Sequence, residues 1–105
     1  MRPEVTEITS FYSREKDQMN VRVNTDRALC ALQCRMECFD LSGHLLWSHE
    51  RKAYSDSNCS FSFTWDVSDS NGNRLPRGIY TLRATVTSED GLSTSHSKKI
   101  AIPAK

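Results

Sequence analysis

Cysteine is the residue type best able to do chemistry in this chain, and three of its four cysteines, Cys30, Cys34 and Cys38, recur at a spacing of four, with Cys59 further on. A disulfide and a zinc site are the chemistries in question. On an extended strand, neighbours four apart lie about 13 Å from each other, well beyond the roughly 4.4–6.8 Å Cα separation that a disulfide tolerates. At most one of the three reaches Cys59. Zinc ligands come in close pairs on a turn, and a straight strand splays them, so no metal is expected. The thiols are then small apolar filler, Cys34 and Cys38 with Met36 between them.

The other reactive types are no better placed. His44 follows a turn glycine, and His49 and His96 lie among Ser, Lys and Glu on faces expected to be exposed, so none has the fixed partner that a general base needs. Asp66, Asp69 and Asn71 have the look of a calcium loop but lack the bidentate Glu at its twelfth position. An aspartate that caps and holds a turn is the expected role. Lys98-Lys99 precedes an apolar pair, Ile100 and Ile102, and has two readings. It is an edge-strand gatekeeper against aggregation, or a contact for a partner that docks on the terminal strand. No cofactor is expected.

Periodicity supplies the elements that position these groups. From 30 to 38, Cys30, Leu32, Cys34, Met36 and Cys38 alternate with Ala31, Gln33, Arg35 and Glu37, which sorts apolar from polar better than the competing helical row does. Phe61, Phe63, Trp65 and Val67 alternate in the same way in a strand expected to end at Asp69. Tyr80, Leu82, Ala84 and Val86 restart the pattern. Between them, Ser70-Asn71-Gly72-Asn73 supplies residues that tolerate positive φ, and Pro76-Arg77-Gly78 adds a break that fixes φ and then frees it. A structured connection of that length predicts adjacent edges of a β-sandwich. Further strands are expected at 5–12, entered at Pro3, and at 19–24, 44–50 and 94–103, with Asp40-Leu41-Ser42-Gly43 as a hairpin turn and 54–60 as loop. The total is seven strands, no helix and no internal repeat: an all-β, immunoglobulin-like antiparallel sandwich.

At 105 residues the chain is expected to be one domain. An apolar fraction of 37 % suits sheets with one wet face each. A net charge of +1 with the signs interspersed offers no basic stripe for nucleic acid. No apolar run approaches the roughly 20 residues of a membrane-spanning helix. The abrupt Met-Arg-Pro-Glu opening reads as the start of a piece cut from a longer protein, with Met1 supplied for expression.

Together, FDLSGHLLW at 39–47, WDVSDSNGNRLPRGIY at 65–80 and KKIAI at 98–102 resemble the C-terminal immunoglobulin-like domain of Bacteroidetes proteins handled by the type IX secretion system. Within that group the sequence is most similar to the domain ending the system's sortase, a gingipain-like cysteine peptidase. It resembles more distantly the immunoglobulin-like domain of the flagellar hook-capping protein, which shares the WD, NG and PxGxY elements. Where relatives carry Asn-Pro near the start of the second strand, this chain has SREKDQMN.

The resemblance implies a non-catalytic targeting or docking module at the cell surface, on the extracellular side of the outer membrane, held against a β-barrel component of the secretion machinery and joined to upstream domains. It implies a monomer in isolation. The recognised part would be Lys98, Lys99, Ile100 and Ile102 with Arg77 and Tyr80 of the neighbouring turn, while Trp65, Asp66, Gly72, Pro76, Gly78, Cys34, Met36 and Cys38 build the turn and core. Deleting 98–105 is then expected to abolish surface display. Two rivals remain: an assembly module like the hook cap, and an adhesive or carbohydrate-binding module using Tyr12, Trp47 and Tyr54 as an aromatic platform.

Overall fold

The computed structural model describes residues 5–105; Pro3, the expected entry to the first strand, lies outside them. Seven strands follow one another: β1 (Val5–Ser13), β2 (Gln18–Thr25), β3 (Ala31–Phe39), β4 (Leu45–Tyr54), β5 (Ser60–Trp65), β6 (Gly78–Thr87) and β7 (Ser93–Ile102). They form two antiparallel sheets, β1-β2-β5 and β4-β3-β6-β7, in an immunoglobulin-like sandwich. The chain changes sheet after β2, β4 and β5, and β1 lies across from β7.

Alternation builds the interior. Met19, Val21 and Val23 of β2 face Leu32, Cys34, Met36 and Cys38 of β3 and Tyr80, Leu82, Ala84 and Val86 of β6 in one hydrophobic cluster. Burial pushes the thiols of Cys34 and Cys38 up to about 12, because a thiolate would be stranded in an apolar medium. Cys30 departs from its expected place. It lies outside β3 and is half-buried, so two thiols of the row, not three, belong to the core.

The segment from Asp66 to Arg77 joins the sheets. β5 ends at Trp65 instead of Asp69, since Val67 turns to a left-handed φ of 51° while staying fully buried. A β-branched residue is strained there; its carbonyl takes the amide of Leu75 at 2.8 Å, and Ser68 bridges Arg74. β6 lies between β3 and β7, so the connection runs from an edge strand to an interior one, not between adjacent edges. Gly72 uses the φ of +83° expected of it. Gly78 does not: it sits at the head of β6 without a left-handed φ, and a Cβ there would lie 3.6 Å from the Tyr80 ring, an ordinary contact.

One five-residue turn recurs four times, starting at Asp40, Asp56, Asp69 and Ser88. In each, the first residue's amide bonds the fifth residue's carbonyl, and the fourth residue's amide returns to the first carbonyl. The fourth residue is left-handed: Gly43, Cys59, Gly72 and Gly91. In the three aspartate turns one carboxylate oxygen accepts the amides of the third and fifth residues. Those bonds hold the Asp40 and Asp56 carboxyls below the usual range, led by the backbone amides of His44 and Ser60. Asp69 thus caps the turn, as its position predicts.

Candidate functional site

Among the described residues β7 bonds only β6 and is an edge of the four-stranded sheet. Its alternation places Lys98 opposite Leu82, half-buried at the rim of the sandwich, and Lys99 opposite Thr81, exposed on the outer face. The lysines therefore guard both sides of one strand, the arrangement that discourages indiscriminate edge pairing. Ile100 and Ile102 are core residues at 5 % and 1 % exposure, so whatever meets β7 there meets its backbone. Removing 98–105 would take both out of the core, and lost display would not separate recognition from unfolding.

Two side chains fix the C-terminal end of this edge. Tyr80 is buried, and its hydroxyl donates to the Pro76 carbonyl at 2.5 Å, holding the Pro-Arg-Gly bend against β6. Burial raises the phenol above its ordinary value. That leaves Arg77 as the exposed member of the bend.

Arg74 was not singled out by sequence, yet it ties three elements together. Its guanidinium makes a fork with Asp17 at 2.7 and 2.8 Å and donates to the carbonyls of Leu75 at 3.0 Å and Pro103 at 2.8 Å. Tyr12 donates to the same Asp17 carboxylate. The Arg74 bond, then the Tyr12 bond, hold the Asp17 carboxyl down at about 2. The long turn, the β1–β2 turn and the residue just beyond β7 are joined at this guanidinium. A fork of this kind suits arginine and not lysine.

The opposite side of the sandwich, where β4 and β5 are the edges, is closed differently. Arg51 of β4 lies 4.9 Å over the Phe63 ring and donates to the Ser62 carbonyl of β5 at 3.0 Å. Trp65 is buried, stacked on Trp47, and its indole N–H donates to the Ser68 carbonyl. Asp66 accepts from the Ser68 hydroxyl.

The histidines are separate. His44 pairs with Asp40 through Nδ1 at 3.1 Å, His49 stacks on Trp47, and His96 is exposed on β7. The platform of Tyr12, Trp47 and Tyr54 is not assembled: Tyr12 is engaged by Asp17 and Arg74, Tyr54 is exposed at the far end of β4, and Trp47 lies against Trp65.

Residues 9–90 match the family model of the FlgD Ig-like domain. No curated protein sequence is matched. Among solved structures, dimeric latent PorU from Porphyromonas gingivalis superposes at a TM-score of 0.76 with 26 % identity, over 93 % of this chain and 9 % of that one. FlgD from Xanthomonas campestris, described in connection with the hook capping essential for flagellar assembly, superposes at a TM-score of 0.61 with 22 % identity, over 97 % of this chain and 69 % of that one. A family 76 glycoside hydrolase from a bovine Bacteroides thetaiotaomicron strain superposes at 0.61 with 10 % identity, over 98 % of this chain and 21 % of that one. The latter two likenesses are of fold alone. The chain spans about a tenth of the PorU chain that it matches.

Proposed function

This chain belongs to the FlgD Ig-like domain family, and from that premise we propose that it is a non-catalytic docking module, the C-terminal domain of a longer protein handled by the type IX secretion system. The observation that carries the reading is the asymmetry of the sandwich. The β5 edge is six residues long and has its Ser62 carbonyl taken by Arg51, whereas β7 presents an edge ten residues long, as β4 does, and differs from β4 in carrying Lys98 and Lys99 and in being anchored at its end by Arg74. A partner strand laid along β7 gains backbone hydrogen bonds, and acidic groups on that partner meet the two ammonium groups. Arg77 adds a third cation, exposed near the start of β6.

In this reading the partner is a β-barrel component of the outer membrane, and the parent is a cell-surface protein with a role like that of the signal-removing sortase. The likeness to PorU and the order of the FDLSG, WDxSDxNG and PRGIY elements support it. The isolated domain is monomeric, because the lysines hinder pairing of two β7 edges. The test is the double reversal Lys98→Glu with Lys99→Glu in the full-length parent. Surface display is expected to fall to background while the domain's melting temperature holds; display at the original level would contradict the reading.

A further inference from the structure

A second site lies on the side of the sandwich that docking leaves unused. The four-stranded sheet is one strand wider than its partner, so the inward face of β4 overhangs the edge at β5. In place of more core it carries Trp47, His49 and Arg51 at alternate positions. The Trp47 ring stacks on Trp65 with centroids 4.8 Å apart and planes at 23°, and on His49 at 6.1 Å and 11°. With Gln18 and Asp66 these rings border a groove of about 260 Å³ between the sheets.

Two features decide what such a groove takes. First, Arg51 already occupies a carbonyl of the β5 edge and the face of Phe63, so an added peptide strand meets a partly blocked ladder, and Asp66 on the same groove offsets the Arg51 charge, leaving no net cation for an anion. Second, the remaining groups are flat ring faces beside an amide and a carboxylate. Ring faces pack against the C–H face of a pyranose, and an amide with a carboxylate exchanges hydrogen bonds with its hydroxyls. A carboxylate at the rim also disfavours acidic sugars.

We propose that the groove between β4 and β5 binds a neutral glycan, with one hexose ring packed on the exposed His49 ring, which the Trp47–Trp65 stack holds in place, and its hydroxyls held by Gln18 and Asp66. The site shares no residue with the β7 edge, so it stands or falls independently of the docking role.

Trp47 and Trp65 are the chain's two tryptophans, and fluorescence excited selectively at tryptophan therefore reports on this groove. The chain is titrated with hexasaccharides of glucose, mannose and N-acetylglucosamine, with a proline-rich peptide as comparison. A saturable change with at least one hexasaccharide is expected. His49→Ala, at an exposed position, should weaken it about fivefold, and Trp47→Phe, which keeps a ring, should retain binding measured by calorimetry. No saturable response to any hexasaccharide, a response indifferent to His49→Ala, or saturation by the peptide alone would overturn the assignment.

Discussion

The four thiols should divide two and two, and the size of the division follows from where they sit. Cys34 and Cys38 face the core at 2 % and 0 % exposure, while Cys30 and Cys59 are half-buried near the loops. Burial moves the first pair from an ordinary value of 9.0 to about 12. At pH 8, about one thiol in ten is ionised at the ordinary value and about one in ten thousand at the raised one, and the thiolate is the species that reacts. Ionisation alone therefore slows the core pair by about a thousandfold. The alternative route, through opening of β3, restores ordinary ionisation but is slow as well, because that opening costs a large part of the global stability. The assay is reaction with a chromogenic disulfide reagent at pH 8, native and then in denaturant, with mass mapping of the modified sites. Two equivalents should react in the native protein, at Cys30 and Cys59, and four after unfolding. Four reacting together in the native state would refute the placement of β3, and fewer than four in denaturant would show a bridge where the structure has four free thiols.

Other outcomes follow from single side chains. Ile102→Ala, which empties a site of 1 % exposure at the end of β7, should lower unfolding free energy in urea by about 2–5 kcal/mol, with the slope unchanged. Cys59→Gly should raise stability by up to about 1 kcal/mol, because Cys59 holds a φ of 63° where the three sister turns have glycine; a thermal melt reads it. Asp17, held down at about 2 by Arg74 and Tyr12, contributes stability in full above its unfolded value near 3.8 and loses it as the pH falls from there towards 2. Asp17→Asn should flatten that part of an acid titration of stability.

Most of the fold was legible because period-2 alternation is strong wherever one face is dry. β2, β3 and β6 read directly from Val21 and Val23, from Cys34 to Cys38, and from Tyr80 to Val86. What escaped depends on partners distant in sequence. Arg74 and Asp17 are 57 residues apart, and no local pattern joins them. Val67 continued the alternation of β5 on paper, but its burial is reached through a left-handed turn that hydrophobicity does not announce. β4 runs on to Tyr54 because Ala53 pairs with Leu32, a register that Arg51 and Lys52 conceal. The recurring turn did leave a trace, an Asp or Ser three residues before a left-handed Gly or Cys, though substitutions at Cys59 and Ser88 blur it. Of the candidate site, the lysines and the turn were legible. The Trp47–Trp65 stack was not, because nothing local says that β4 overhangs β5.

The central claim is that β7 is the surface a partner meets, and site-specific crosslinking in cells tests it most directly. A photoreactive residue at position 99 of the parent should yield one discrete, larger adduct containing an outer-membrane protein, and the same residue at position 52 of β4, the other edge of that sheet, should yield none. Adducts from position 52 with none from position 99 would contradict the account.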